Sequence, residues 1–345
     1  MKILITGGAG FVGSHTAEYY IRNGEDVTVY DNLSRAKLLN YSDSNAMYNW
    51  NYLNDNYDLT LIKGDIRDQK KLEEAAAGMD AIIHTAAQTA VTTSVVDPRT
   101  DFEINALGTF NVLEAARKTG AAVVYCSTNK VYGDNVNKIK LIEKKERYDF
   151  SDKDYKGGVP ETLSTDLCEH TPYGASKFAG DVYVQDYAQR NEIDAAVFRM
   201  SCIYGTRQFG VEDQGWVAWF TLATLVEKPI TIYGDGKQVR DILYVTDLVN
   251  AYDSFLKKRD TLHHGVYNMG GGMENTISLL ELLDILEDLT GKRSDIKFDD
   301  WRPSDQKVYI SDTTKAKKDL GWNTKIGVKE GVKNLVDWVK SSNTI

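Results

Sequence analysis

The first two hundred residues alternate between short apolar blocks and longer mixed segments. KILIT (2–6), DVTVYD (26–31), TLIKGD (60–65), AIIHTAA (81–87), AAVVYCS (121–127) and AAVFRMS (195–201) each read as a β-strand. Between them, residues 14–23, 72–78, 101–119 and 173–191 carry helix-period patterns, and Gly120 supplies a stop signal for the third. Strand–helix alternation of this kind predicts right-handed β-α-β units on a parallel sheet. Beyond about residue 200 the alternation loosens. Residues 214–228 read as a helix, 229–233 as a strand, 234–241 as a turn into a further short strand, and 278–290 and 327–341 as amphipathic helices. The expected fold is α/β, a doubly wound parallel sheet with a smaller mixed α/β C-terminal lobe. The expected division is 1–200 for the sheet domain, with 238–258 returning to it, and 201–345 for the lobe. Residues 134–170 are highly charged and without period, and are expected to be a long surface insertion lying over a site.

Composition narrows the function classes. A chain of 345 residues with 42% hydrophobic and 26% charged residues can bury a large core. Its net charge of −9 argues against broad nucleic-acid binding, which needs a basic surface. A few arginines in one cleft could still receive a phosphorylated ligand. Cys126, Cys168 and Cys202 show no Cys-x-x-Cys spacing, and the five histidines form no zinc pattern with them, so reduced thiols and no metal site are expected. No run approaches a membrane span and no secretory leader is read at MKILITGGAG, which together point to a cytoplasmic protein.

Chemistry enters with the glycines. Gly7, Gly10 and Gly13 follow the first strand in G-x-x-G-x-x-G spacing, which allows a tight turn and a close approach of backbone to a pyrophosphate at a helix N-terminus. An ordinary β-to-α turn is the competing account. Asp31 weighs against it, because it ends the second strand about 20 residues on, where a carboxylate binds adenosine ribose hydroxyls. A carboxylate there repels a 2′-phosphate, so NAD is favoured over NADP, with Arg35 keeping the second open. Asp65 and Ile66 end the third strand beside the expected adenine.

PYGASK (172–177) puts Tyr173 and Lys177 one helical turn apart on one face. An ammonium there, with a positive nicotinamide, would lower the phenol pKa from its ordinary value near 10. A bare Tyr-x-x-x-Lys is otherwise a common helix-surface pattern. The strand end at CSTN adds Thr128, whose hydroxyl could share a hydrogen bond between phenol and substrate.

At this point the chain resembles the extended short-chain dehydrogenase/reductase family, in its division of nucleotide-sugar epimerases and dehydratases. The resemblance rests on GGAGFVG (7–13), DN (31–32), GDIRD (64–68), HTAAQ (84–88), FEINALGT (102–109), STNKVYG (127–133), PYGASK (172–177), FRMSCIYG (198–205) and GDGKQVRD (234–241). It implies a Rossmann-type sheet, a smaller nucleotide-sugar-binding lobe, and NAD as cofactor. It implies Thr128, Tyr173 and Lys177 as the catalytic triad, with Tyr173 the base and Lys177 on the nicotinamide ribose. Cofactor contacts are expected from Gly7, Gly10, Phe11, Val12, Asp31, Asn32, Ser34, Arg35, Asp65, Ile66, Ala86, Ala87, Gln88, Asn105 and Met200, besides Tyr173 and Lys177. Substrate contacts are expected from Thr93, Ser94, Thr128, Asn129, Lys130, Ser201, Arg207, Gln214, Trp216, Tyr233, Arg240, Arg302 and Asp305. Arg240 and Arg302 are the candidates for the pyrophosphate, since guanidinium forks match phosphate oxygens. Ser94 could instead cap a helix, Arg207 could be an ion-pair residue, and Trp216 could be core.

Dehydratases of this family need an acidic residue directly after the threonine. Here Asn129 and Lys130 stand in those places, and neither an amide nor an ammonium replaces a carboxylic acid. Epimerisation or simple redox chemistry remains. TTS (92–94), EDQGWVAWF (212–220) and RPSDQKVY (302–309) resemble the branch that inverts C2 of CDP-linked 3,6-dideoxyhexoses; epimerisation of a UDP-sugar at C4 and a non-catalytic NAD-binding regulator are the alternatives. The resemblance further implies a nucleotide-diphosphate sugar, CDP-linked, as small-molecule partner, no nucleic acid or membrane partner, and a homodimer or homotetramer built through helices 101–119 and 173–191.

Overall fold

Seven strands make the central sheet: β1 (Lys2–Thr6), β2 (Asp26–Asp31), β3 (Thr60–Lys63), β4 (Ala81–His84), β5 (Ala122–Thr128), β6 (Ala195–Met200) and β7 (His264–Met269). This computed structural model describes residues 1–39, 45, 47–302 and 305–342, so Pro303 and Ser304 of the RPSDQKVY stretch lie outside the described residues. Every pairing in the sheet is parallel, in the order β7-β6-β5-β4-β1-β2-β3. The chain runs outward from β1 to β3, then returns to place β4 on the other side of β1. A crevice therefore opens over the carboxyl ends of β1 and β4, where α/β sheets bind ligands.

Burial on both faces explains why the strand blocks are apolar rather than alternating. One face packs against helix Phe11–Arg22 and helix Val245–Leu262 through Ala17, Tyr20, Leu248, Tyr252 and Phe255. The other face packs against helices Gln69–Ala76, Gly108–Thr119 and Pro172–Gln189 through Leu72, Val112, Leu113, Val184 and Tyr187. The smaller lobe wraps helices Trp216–Leu225, Leu279–Thr290 and Val328–Ser341 around a third core that includes Ile230, Ile242, Leu282 and Leu335. Ser278 and Glu281 form a capping box that starts the second of these helices.

Three expectations are corrected. Strand Val239–Tyr244 does not return to the central sheet; it pairs with Cys202–Tyr204, Thr276–Ser278 and Val308–Tyr309 in the lobe. The segment that returns is helix Val245–Leu262 followed by β7, whose sequence HGVYNM mixes polar and apolar residues too evenly to announce a buried strand. Second, residues 134–170 are not a free surface loop. They hold an antiparallel pair, Leu141–Glu143 with Tyr148–Phe150, and bury Ile139, Tyr148 and Val159. Tyr148 donates its amide to the Lys237 carbonyl (2.9 Å), and Arg147 pairs with Glu281 (3.3 Å), which fastens the insertion to the lobe. Its contacts are single residues spaced irregularly, so no period betrays them. Third, the helix expected from residue 101 begins at Pro98 and passes through a π-helical turn at Glu103–Leu107 before continuing as Gly108–Thr119. A π turn is an irregularity that hydrophobic period does not encode.

Candidate active site

The turn after β1 forms because its glycines can take what a side chain cannot. Gly7 has φ of +71°, and a Cβ added to it would meet the Ala86 amide nitrogen at 2.5 Å. A Cβ on Gly13 would stand 2.3 Å from the Gly7 carbonyl oxygen. Helix Phe11–Arg22 thus starts pressed against the sheet, with its first amides facing the crevice. Asp31, at the end of β2, accepts from the amides of Ala9 (3.0 Å) and Leu33 (2.7 Å). Burial pushes its carboxyl above the ordinary value, and those two donors pull it back.

A cleft open to solvent runs from this turn to the Pro172–Gln189 helix. Gly7, Gly10, Phe11, Val12, Asp31, Ser34 and Arg35 line one end; Ala87, Gln88, Cys126, Ser127, Met200, Tyr173 and Lys177 line the other. A side pocket beside Asp31 is walled by Asn32, Asp65, Ile66, Ala86 and Ile104. Asn32 donates to Asp65 (2.9 Å), whose carboxyl Arg67 grips with two nitrogens, at 3.0 and 2.8 Å, and so holds at about 2. The glycine cradle, the carboxylate at the end of β2 and the apolar side pocket fit a dinucleotide with its adenosine over β2 and β3.

At the other end, β5 delivers Thr128 and the helix delivers Tyr173 and Lys177. Thr171 caps that helix through the Gly174 amide (3.2 Å), and Pro172 occupies its first turn. The Thr128 hydroxyl donates to the Asn129 Oδ1 (3.4 Å) and is close enough to the Tyr173 phenol to favour its ionised form. Burial pushes Tyr173 up to about 12, with the Thr128 hydrogen bond acting against that shift. The expected stabilisation by Lys177 is corrected here. Lys177 turns to the Cys126 carbonyl (2.6 Å) and stands over the Tyr125 ring at 4.3 Å, and burial pulls its ammonium down to about 8. Thr128 also accepts the Lys130 amide (3.2 Å), capping the 3₁₀ turn that follows.

Beyond Thr128 the cleft meets the lobe. Asn129 donates to Gln306 (3.1 Å), and Arg240 is paired with Asp305 (2.8 Å). Lys130 sits among Asp305, Arg240 and Cys202, with burial lowering its pKa. Trp216 donates its indole N–H to the Cys202 sulfur (3.3 Å). Tyr233 and Arg302 stack at 4.0 Å, and Arg302 is paired with Asp213 (2.9 Å). Gln214 reaches across the cleft mouth, accepting from Arg35 (3.3 Å) and donating to the Thr89 hydroxyl. Thr93 is half-buried beside this region.

Four predicted contacts fall elsewhere. Ser94 is fully buried, donating to the Val91 carbonyl (2.6 Å) and accepting the Tyr173 amide (3.1 Å), so it braces the helix start. Asn105 lies beneath the cleft wall with its amide spent on Gln88, Asp101 and Ser176. Ser201 gives its hydroxyl to the buried carboxyl of Asp241 (2.6 Å). Arg207 pairs with Glu18 (2.7 Å) over the Tyr52 ring, against the outer side of the glycine turn. Ser94, Asn105 and Ser201 are polar residues inside matched motifs and Arg207 lies just after one, and a motif does not say which way a side chain turns. Conversely, sequence reasoning passed over Ser127, Asp181 and Arg199. Arg199 grips Asp181 with two nitrogens at 2.9 and 3.0 Å, and Ser127 adds a third bond (2.7 Å), which fixes the end of β5 against helix Pro172–Gln189. FRMS and ASKFAGD carried those charges in plain sight, each buried where an unpaired charge would be costly.

The profile of the NAD dependent epimerase/dehydratase family matches residues 3–270. The chain belongs to that family. Over 352 aligned residues, covering 99% of this chain and all of the relative, it is 40% identical to the CDP-paratose 2-epimerase of Salmonella typhi. Among solved structures, this family member superposes on the UDP-glucose 4-epimerase of Thermotoga maritima determined with UDP-glucose, at a TM-score of 0.79, 30% identity and 99% coverage of both chains. It superposes on the Thermus thermophilus UDP-glucose 4-epimerase complex with NAD at a TM-score of 0.77 and 30% identity, covering 99% of this chain and 100% of that one. No helix among the described residues is long and apolar enough to cross a membrane.

Proposed function

We propose that the protein is an NAD-dependent nucleotide-sugar epimerase that interconverts CDP-paratose and CDP-tyvelose by inverting C2 of the sugar. The turn at Gly7, Gly10, Phe11 and Val12 would hold the pyrophosphate of NAD, Asp31 its adenosine ribose, Ile66 and Ala86 the adenine, and Lys177 its nicotinamide ribose. Bound there, NAD supplies a reversible hydride acceptor, so the sugar passes through a 2-keto form with no net oxidation. Tyr173 takes the proton of the C2 hydroxyl at its phenolic oxygen and returns it after the sugar has turned, and Thr128 bridges phenol and hydroxyl. Arg240 and Lys130 hold the substrate diphosphate, and this anchoring lets the sugar turn without leaving.

The observation that carries the choice of reaction is the pair that follows Thr128. Asn129 is bonded to Gln306, and Lys130 is flanked by Arg240 and Asp305. No carboxylic acid occupies either position, so expulsion of water has no proton donor there. The likeness to CDP-paratose 2-epimerase supports the choice of carbon. Proton NMR decides it: CDP-paratose should yield a new anomeric signal with manno-type coupling. A galacto product from UDP-glucose, with CDP-paratose inert, would overturn the assignment in favour of a UDP-sugar 4-epimerase. The protein works as a cytoplasmic homodimer joined through the helices at 98–119 and 172–189, where Phe102, Leu107, Val182 and Tyr183 are exposed.

A further inference from the structure

Beneath the catalytic helix lies a carboxyl group that the proposed reaction does not use. Asp101, on helix Pro98–Phe102, is 1% exposed. It accepts from Gln88 Nε2 (2.9 Å), from Asn105 Nδ2 (3.1 Å) and from the hydroxyl of Ser176. The two sides of the cleft meet on it. Gln88 belongs to the wall after β4, and its amide and carbonyl are both held by Asn105, at 2.9 and 3.0 Å. Ser176 lies between Tyr173 and Lys177 on the catalytic helix. The π turn at Glu103–Leu107 carries Asn105 into this arrangement.

All three donors to Asp101 are neutral, and no salt bridge to it is found among the described residues. A buried carboxylate without a paired cation keeps its field, because low dielectric screens it weakly. The other carboxylate close to Lys177, Asp181, is already matched by Arg199. We propose that Asp101 is a positioning residue of the epimerisation: it ties the cleft wall to the catalytic helix and supplies a standing negative charge beneath Tyr173 and Lys177. This inference rests on the reading of Tyr173 as the base.

The charged and titratable neighbours of the pair come from every surrounding element. Asp101 reaches both members of the pair, and Asp181 on the same helix reaches Lys177. From β5, the Cys126 thiol acts on both and Tyr125 is coupled to Tyr173; from β4, His84 faces Lys177. On Asp101 itself burial raises the carboxyl pKa above its ordinary value, the Ser176 and Gln88 hydrogen bonds and the Lys177 ammonium act to hold it ionised, and Asp97, at the start of the Pro98–Phe102 helix, adds a smaller upward push. Asp101 raises the pKa of both Tyr173 and Lys177. Its charge therefore opposes the phenolate and favours the ammonium, so removing it shifts both titrations to lower pH.

The test is titration of the Tyr173 phenol in the NAD-loaded protein, read as the ultraviolet tyrosinate difference between each protein and its own Tyr173→Phe counterpart. Asp101→Asn should lower the midpoint by about one pH unit, a shift typical of losing one nearby charge, and move both limbs of kcat against pH the same way. Ser176→Ala breaks one bond of the cluster but keeps the charge, and should leave the midpoint in place. Equal shifts in Asp101→Asn and Ser176→Ala, or no shift in Asp101→Asn, would overturn the proposal. Should Asp101→Asn fail to fold, Asp101→Ser carries the same expected shift and the same refutation. Full turnover by Tyr173→Phe would instead refute the assignment of the base, whatever Asp101 does.

Discussion

Thr128 and Tyr173 illustrate how little one residue's identity says about its chemistry. Tyrosine is an ordinary helix residue, and burial first, with the Asp101 charge adding to it, moves its phenol away from the ionised form, up to about 12. The Thr128 hydroxyl acts in the other direction, because it favours the phenolate by hydrogen bonding. Two substitutions separate these roles. Tyr173→Phe should lower kcat by about 10²–10⁴-fold, the usual worth of a positioned acid–base group, while bound NAD, measured by absorbance after denaturation, stays unchanged. Thr128→Val should lower kcat less and move the acid limb of the pH–kcat profile to higher pH, since the donor that favoured the phenolate is gone. An unmoved limb would leave Thr128 with a packing role only. That Thr128, Tyr173 and Lys177 come together at one end of the cleft was legible from motifs, because their spacing on strand end and helix is constrained. The orientations of Ser94, Asn105 and Arg207 were not, because each turns on a partner from a distant segment: Tyr173, Gln88 and Glu18 respectively.

Elements rather than residues decide how the cleft is closed. The segment 208–215 crosses from the lobe, where Arg302 pairs with Asp213 (2.9 Å) and Tyr233 donates to Glu212 (3.1 Å), to the sheet domain. Arg35 donates to the Phe209 carbonyl (2.8 Å) and to Gln214 (3.3 Å), and Gln214 donates to Thr89. An enzyme whose cofactor ends each cycle as it began has no reason to release it, and a strap over the mouth slows release. Gln214→Ala removes both of its bonds. At about 1 kcal/mol for a hydrogen bond, NAD dissociation should quicken roughly five-fold or more; stopped-flow displacement of the bound cofactor measures it. A rate equal to the parent's would remove the strap from the account. The strap and the 134–170 insertion share one reason for being illegible. Both are irregular segments whose partners lie in the other lobe, and hydrophobic period carries no information about them.

For the whole molecule, two expectations follow from what is buried and what is not. Phe110 and Tyr183 meet edge to face at 5.7 Å on the outer side of the helix pair, next to exposed Val182. Tyr183→Glu would place a charge in the proposed interface, so light scattering should show monomers where the parent is dimeric. Stability against acid concerns His15 and His84, which burial holds at about 3. In the unfolded chain each titrates near its ordinary value of about 6.5. The unfolded state therefore binds more protons in between, and the contribution present above about pH 6.5 is lost progressively as pH falls toward 3. Asp31, Asp101 and Asp241 carry raised values and act with the opposite sign, Asp241 at about 6. The two histidine terms are isolated by comparison: His15→Asn should flatten the decline of Tm below pH 6.5 in calorimetry. The alternation of strands and helices, the glycine turn, Asp31 and the Thr128–Tyr173–Lys177 set were all determined by sequence, since local period and chemically fixed spacing survive without knowledge of neighbours. Tertiary structure alone decided that β7 completes the sheet, that Lys177 turns to a β5 carbonyl, and that Asp101 lies under the catalytic helix. Each of those depends on segments tens of residues apart meeting in a low-dielectric interior, where the partner sets both the orientation of a polar group and its charge.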